Sequence, residues 1–389
     1  MDTNQRVAEV MELNTLLKAT SRSFYLTLRV LPARVRPQIG VAYLLARTTD
    51  TIADTEILPV AQRCTIGRKQ TDSIADTEIL PVAQRLEALQ KLRERILGQN
   101  SAPLNFGELA QKQNLSAEKL LLEKVEASLT LLQTLSPADL KLVREVLTTI
   151  MGGQELDLRR FGRWGETPGE PSSTFAARED ARPTTKIIAL ETAADLDDYT
   201  YRVAGCVGGF WTKICRAHLF PNAKMDDANM LADGIRYGNG LQLVNILRDL
   251  PKDLRNGRCY LPMEKLLEAG LTPEDLLQPV NECKLRPLYN HYLDAAESHL
   301  AAGWKYTNII PRGQMRVRLA CAWPVLIGAK TISCLRDGKV LDPLRRLKIT
   351  RGQVRGIIWR SVLSHPFPGA WQKLFVPGGK AVASDAKLA

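Results

Sequence analysis

Residues 43–54 read YLLARTTDTIAD, and residues 241–253 read LQLVNILRDLPKD. Each stretch surrounds a pair of aspartates four apart, Asp50 with Asp54 and Asp249 with Asp253, with apolar residues at helical spacing. On a helix such a pair shares one face. Two carboxylates placed that way repel by about 0.2–0.5 kcal/mol, so a chain that repeats the arrangement beside apolar residues has cations to hold. Arg47 falls one turn before Asp50 on the same face. In the second stretch Gln242, Asn245, Asp249 and Asp253 follow at spacings of three, four and four. They make a polar stripe on a helix otherwise built of Leu, Val and Ile, and buried polar groups of this kind need partners. Pro251 predicts a kink or an end to that helix, which leaves Asp253 less firmly placed than Asp249.

Mg²⁺ suits these ligands. It takes oxygen donors, keeps several waters and bridges one or two carboxylates to phosphates. Two facing Asp-rich helices with nearby arginines would grip a diphosphate and neutralise it as it departs. One isolated Asp pair is ordinarily a solvated helix face. Two pairs, each with apolar flanks and an adjacent Arg, argue for a site.

The first Asp-rich phrase occurs twice. Thr49 to Arg63 reads TDTIADTEILPVAQR and Thr71 to Arg85 reads TDSIADTEILPVAQR, 22 residues apart and differing only at Thr51 and Ser73. Two units are too few for a solenoid, which needs three or more to bury a continuous core. The repeat reads as a local tandem duplication. Copy one follows the apolar run AYLLAR; copy two follows Gly67-Arg68-Lys69-Gln70, which has no apolar face. Copy one, with Asp50 and Asp54, is therefore the expected site, and Asp72 and Asp76 are the spare pair.

With 45% hydrophobic residues and a mean hydropathy of −0.15, the 389-residue chain can bury a large core. Seven cysteines are scattered without a CxxC pair, which argues against a disulfide framework or zinc site. We expect a reducing cytoplasmic location, with no signal peptide, no spanning segment and at most peripheral contact with a membrane. The net charge of +11 is concentrated: residues 311–360 hold 12 Lys and Arg against two Asp. No nucleic-acid-binding motif accompanies that patch, so a phosphate-bearing small molecule is the better partner, and a nucleic acid is not expected.

Periodicity predicts helices over residues 85–97, 117–132, 137–150 and 288–302. Ser136-Pro137 and Thr272-Pro273 each read as a cap followed by proline in the first turn. No convincing set of alternating strands is present. Residues 163–186 read as a long loop, and residues 377–389 as a polar tail. The expected architecture is all-α: one domain over residues 1–365, then a C-terminal tail over 366–389. Within residues 359–375, Phe367, Trp371, Leu374 and Phe375 are expected to pack on the core, with contact to a bilayer as the other reading.

Several separated segments together resemble the squalene/phytoene synthases, the head-to-head prenyl transferases of the all-α isoprenoid synthase fold. They are Ser21-Arg22-Ser23-Phe24-Tyr25, Tyr43 to Asp54, Tyr199-Thr200-Tyr201-Arg202-Val203-Ala204-Gly205, and Leu241 to Pro262. The resemblance implies that Asp50, Asp54, Asp249 and Asp253 hold Mg²⁺ and the diphosphates. Ser21, Arg22, Phe24, Arg47 and Arg248 would contact substrate, with Gln242 and Asn245 nearby. Tyr43 and Tyr201 would face the reacting prenyl chains. It also implies coupling of two prenyl diphosphates, two farnesyl groups in the squalene case, through a cyclopropyl diphosphate intermediate. Residues 347–352, LKITRG, are similar to a basic segment of squalene synthases. That favours squalene as product, with NADPH met by Lys348, Arg351 and Asn245. Phytoene or dehydrosqualene synthesis without reduction is the alternative. A non-catalytic binding or assembly factor is the rival class, but it would not need both Asp pairs with Arg47 and Arg248. The chain departs from the family pattern in carrying the Asp-rich phrase twice.

Overall fold

Both Asp-rich stretches form helices: Asp54 caps the C-terminal end of the first, and Asp249 and Asp253 lie in the last turns of the second. The computed structural model describes residues 17, 18, 20, 24–54, 81–113, 115–162, 187–342 and 347–375, with backbone alone for 24–26. Ser21, Arg22, Asp72, Asp76, the 163–186 loop, the 377–389 tail and the Phe24 side chain lie outside the described residues.

Helix α1 (Arg36–Ala53) has Pro37 in its first turn and ends at Asp54, whose N–H donates to Asp50 O at 2.8 Å. Leu44, Leu45 and Ile52 have no exposed surface. The buried Thr48 and Thr49 hydroxyls donate back to Leu44 O at 2.9 Å and Ala46 O at 2.7 Å, so their polarity costs the core little. Helix α2 (Val82–Leu97) begins after Pro81 and stops at Gly98, where φ is 76°. Its Arg85 is fully buried and donates from Nη1 to Ala53 O at 2.9 Å. A guanidinium at a helix C-terminus satisfies an end carbonyl and complements the dipole. The end of copy two thus clamps the helix that carries the aspartates of copy one.

Helix α3 (Pro137–Phe161) starts as its sequence predicts: Ser136 Oγ accepts from Asp139 N at 3.2 Å. It runs eleven residues beyond the predicted end at Ile150. Helix α4 (Ala193–Thr200) passes through a π-helical turn, Tyr201–Gly205, into α5 (Cys206–Leu219). Helix α6 (Asp227–Arg255) carries the second Asp pair. Behind it lie α7 (Glu282–Ile309) and α8 (Met315–Asp337), followed by α9 (Arg351–Ser364) and α10 (Pro368–Gln372). A two-residue parallel pairing of β1 (Ile188–Ala189) with β2 (Arg258–Cys259) is the sheet content of the described residues. The fold is all-α.

Three expectations need correction. The helix predicted over 117–132 breaks at Lys124 (φ −103°, ψ 18°) into Ser116–Glu123 and Val125–Gln133. The Thr272-Pro273 cap opens only a 3-10 turn, Glu274–Leu277, because Pro279 follows too soon for a helix. Residues 366–375 are not a tail: Trp371 and Phe375 are 3% and 6% exposed and belong to the main core.

Helix α8 is long and apolar enough by composition to cross a bilayer, yet 67% of its most apolar window is buried within the fold. It is a core helix. The described cysteines, Cys206, Cys215, Cys259, Cys283, Cys321 and Cys334, are unpaired. Two apolar clusters share the interior. One is built mainly on α1, α2 and α3, the other on α6, α7 and α8, and Trp211 and Leu219 of α5 pack against both. The close approach of α5 to α6 needs glycine, since a Cβ on Gly208 would overlap the Gly234 carbonyl. The site opens where the two clusters meet.

Candidate active site

A cavity of about 210 Å³ lies between the ends of α1, α3 and α6. Asp50 and Asp54 reach it from α1, and Gln242, Asn245, Asp249 and Asp253 from α6. Helix α3 adds Gln154 and Asp157, α4 adds Tyr199, and the chain around β2 adds Arg258 and Tyr260. Both Asp pairs and both polar residues of the Leu241–Asp253 stripe therefore meet in one space. Sequence reasoning missed Gln154, Asp157, Lys252 and Arg258. The signal was present: Gln154 and Asp157 stand three apart, on one face of a helix that otherwise buries Met151, Leu158 and Phe161.

Pro251 does not end α6. Proline removes the N–H that would bond the Leu247 carbonyl, four residues back. That carbonyl instead accepts the hydroxyl of Tyr289, a fully buried residue of α7, at 2.9 Å. The helix continues to Arg255 and Asp253 stays on the stripe. Tyr289→Phe should lower stability by about 1–3 kcal/mol, the cost of an unpaired buried carbonyl, and should loosen diphosphate binding through Asp253. Denaturant midpoints and diphosphate-induced shifts in melting temperature measure both.

The arginines singled out from sequence are already engaged. Arg47 holds Glu118 at 2.6 Å and lies 3.7 Å from Asp50. Arg248 grips its neighbour Asp249 with two N–H groups, at 3.0 and 2.6 Å. It orients that carboxylate from just outside the cavity lining. Among the described residues, the cations lining the cavity are Lys252 and Arg258. Arg258 sits 3.9 Å from Asp54 and over the Phe161 ring.

Tyr201 is 42% exposed and lies outside the cavity lining, whereas Tyr199 and Val203 line it. Residues two apart on a helix point nearly opposite ways, so with Tyr199 inward Tyr201 cannot be. Tyr43 is half-buried, its hydroxyl 3.5 Å from Thr20 O, and is also absent from the lining. Lys348 and Arg351 are exposed before and at the start of α9 and are not among the lining residues. Tyr199 stacks on Tyr260 at 4.6 Å, and Tyr260 meets Phe161 edge-on at 5.4 Å. The Tyr260 hydroxyl donates to Asp157 Oδ2 at 3.1 Å.

The cavity is acidic and open to solvent, its Asp50 and Asp54 side chains 43% and 61% exposed. Burial, then the charge of Asp54, pushes Asp50 up to about 7 against the opposing pull of Arg47 and Gln154. Burial pushes Asp157 up to about 7 against Arg258 and Tyr260, and burial with Asp249 does the same to Asp253. Asp157 Oδ1 and Gln154 Oε1 are buried without a hydrogen-bond partner. Orphaned oxygens among crowded carboxylates fit a hard cation. Among the described residues no three acidic groups converge tightly enough to hold a metal by themselves.

A carboxyl with a raised folded pKa contributes stability below its unfolded value of about 4, and that contribution is lost as pH rises through about 7. Metal-free protein should therefore melt lower at about pH 8 than at about pH 5, and Asp50→Asn should flatten the fall. Because the ligands must be ionised, Mg²⁺ with inorganic diphosphate should raise the melting temperature more at the higher pH. Calorimetry across that range tests the sign.

The squalene/phytoene synthase family profile matches residues 17–353. The chain belongs to the squalene/phytoene synthase family, a family of prenyl transferases. A bifunctional lycopene cyclase/phytoene synthase of Arthroderma gypseum is 26% identical over 297 residues, 76% of this chain and 41% of the fungal protein. The 15-cis-phytoene synthase of Synechococcus elongatus is 33% identical over 184 residues, 45% of this chain and 55% of its own. This chain thus spans about half the length of these curated relatives. Among solved structures, TcSQS with the ligand BPH1237 superposes with a TM-score of 0.66 at 20% identity, covering 94% of this chain and 89% of that one. A dehydrosqualene synthase gives 0.56 at 19% identity, over 93% and 99%. Both share the fold.

Proposed function

We propose that the cavity binds two farnesyl diphosphates and joins them head to head into squalene. The first half-reaction releases one diphosphate and a proton and leaves a cyclopropyl diphosphate. The second releases the other diphosphate, and the rearranged carbocation takes a hydride from NADPH. The observation that carries the reading is the convergence of both Asp pairs with Asp157, Lys252 and Arg258 on one cavity. When bound, Mg²⁺ supplies the charge that stabilises departing diphosphate. Asp50, Asp54, Asp249 and Asp253 would hold it.

Each remaining part of the chain has a role in that reading. Lys252 and Arg258 meet diphosphate oxygens that the metal leaves open. Arg47 and Arg248 fix the carboxylates beside them. Gln154 donates to Asp50 and fixes its rotamer. The Tyr199–Tyr260–Phe161 cluster offers aromatic faces to developing positive charge. Burial raises both tyrosine hydroxyls well above their ordinary range, so they stay protonated and do not quench a cation as bases.

A second reading is favoured by the curated relatives named above, which are phytoene synthases. In it the carbocation loses a proton and no reductant is used. Incubation with farnesyl diphosphate and Mg²⁺, with and without NADPH, separates the two. Squalene formed only with NADPH supports the first. Dehydrosqualene unaffected by NADPH, or a phytoene product from geranylgeranyl diphosphate, supports the second. No product from either substrate overturns both.

A further inference from the structure

The first aspartate of each pair has an arginine beside it, and the two arginines behave differently. Arg248 closes on Asp249 with two N–H groups, at 3.0 and 2.6 Å, one to each carboxylate oxygen. Arg47 does not close on Asp50: its Nη1 stays 3.7 Å from Asp50 Oδ2, too far for a hydrogen bond. Nothing in α1 itself imposes that gap, since residues three apart on a helix are neighbours and such ion pairs form readily. Glu118 holds the guanidinium off, its Oε1 accepting from Arg47 Nη2 at 2.6 Å. Glu118 stands 71 positions from Arg47, in the first turn of the helix Ser116–Glu123. Leu121 and Leu122 of that helix are buried in the apolar cluster that also holds Leu44, Leu45 and Ile52 of α1. The carboxylate is therefore anchored to the same core as the aspartates and sets where Arg47 rests.

The gap matters for Asp50. Its Oδ1 accepts from Gln154 Nε2, and its Oδ2 faces Arg47 across 3.7 Å. Both oxygens of Asp249, by contrast, are taken by Arg248. Asp50 thus offers an open oxygen on a carboxylate that lines the cavity. A guanidinium and Mg²⁺ compete for the same lone pairs, and two cations at one oxygen repel each other. An Arg47 closed on Asp50, as Arg248 is on Asp249, would block that oxygen. We propose that Glu118 is a positioning residue of the site: it holds Arg47 away from Asp50 and so keeps Asp50 Oδ2 open to the metal. Glu118 is not among the lining residues, so it acts through Arg47 and not on the substrate. The proposal rests on the reading of the cavity as a site for Mg²⁺ and diphosphate.

Purified protein would be titrated with Mg²⁺ at a fixed concentration of inorganic diphosphate while its melting temperature is followed. Wild type should show a saturating rise. Glu118→Gln should need about tenfold more Mg²⁺ to reach half of its rise, the low end of the loss when the support of a metal ligand is removed. Glutamine keeps the shape of the side chain but gives up the charge-assisted bond, which frees Arg47 to turn onto Asp50. The melting temperature without Mg²⁺ measures any purely structural cost separately. In an Arg47→Gln background, Glu118→Gln should leave the Mg²⁺ midpoint unchanged, because the group that Glu118 restrains is gone. A Glu118→Gln midpoint equal to or below that of wild type would overturn the proposal and leave the reading of the cavity standing. So would the same tenfold change in the Arg47→Gln background, since Glu118 would then act without Arg47. A wild-type melting temperature that ignores Mg²⁺ with diphosphate would sink the reading of the cavity, and this proposal with it.

Discussion

Asp50→Asn should abolish turnover, with a loss of at least about a thousandfold, while Asp72→Asn leaves the rate near wild type. The first figure follows from removing a charge aimed at a departing diphosphate, where one well-placed group is worth about 10²–10³ in rate and a lost metal ligand adds to it. Asp50 lines the cavity, receives Gln154 and faces Arg47. Nothing in α1 can replace it, because the next carboxylate on that face is Asp54, already a member of the pair. The second figure follows from where the repeat is cut. The head of copy one ends α1, and the end of copy two, from Pro81 to Arg85, opens α2 and clamps the Ala53 carbonyl. Deleting residues 64–85 joins copy one directly to Leu86, and Arg63 then inherits the place of Arg85 with identical neighbours before and after it. The shortened protein should keep both its melting temperature and its turnover. Initial rates and calorimetry on the three variants check the set. Activity that survives Asp50→Asn and dies with Asp72→Asn would assign the site to copy two.

Trp371→Ala should cost about 3–5 kcal/mol of stability, the usual toll of deleting a buried aromatic side chain. The ring is 3% exposed and stacks on Trp304 at 5.3 Å. Arg318 lies over the ring at 5.2 Å from its centroid, and His365 meets it edge-on. Its Nε1 donates to Asn308 Oδ1 at 2.8 Å, and the same oxygen accepts from Arg318 at 3.0 Å. Truncation therefore leaves a cavity and also frees a half-buried polar network. Trp371→Phe keeps most of the volume and loses the N–H, so it should fall between wild type and alanine. Urea midpoints of the three proteins give the order. A Trp371→Ala protein as stable as wild type would mean that residues 366–375 are a tail after all.

Much of this protein is legible in one dimension because helices are local. Ser136-Pro137 announces the start of α3, and the Gln242-Asn245-Asp249-Asp253 stripe can be drawn on a helical wheel without knowing what faces it. Both Asp pairs, Gln242 and Asn245 could be named for the same reason: a polar residue repeated at helical spacing among Leu, Val and Ile is anomalous wherever the helix goes. Gln154 and Asp157 obey the same rule but sit beyond Ile150, past the predicted end of their helix.

What the chain could not announce was contact between residues far apart in sequence. The hydroxyl of Tyr289 carries α6 through Pro251, a bond spanning 42 positions, and periodicity contains no trace of it. Arg47 and Arg248 looked free because the competition of Glu118 and Asp249 for their N–H groups depends on side-chain geometry. Tyr199 rather than Tyr201 faces the cavity because of how α4 is rotated against α6, a matter of packing. Sequence by itself determined that the protein is all-α and which two helices bear the Asp pairs, since both follow from spacing along single helices. Only tertiary structure decided which cations face the cavity and which carboxyls are pushed up to about 7. Burial and Coulomb energy depend on distances between helices, and those distances exist only once the chain has packed.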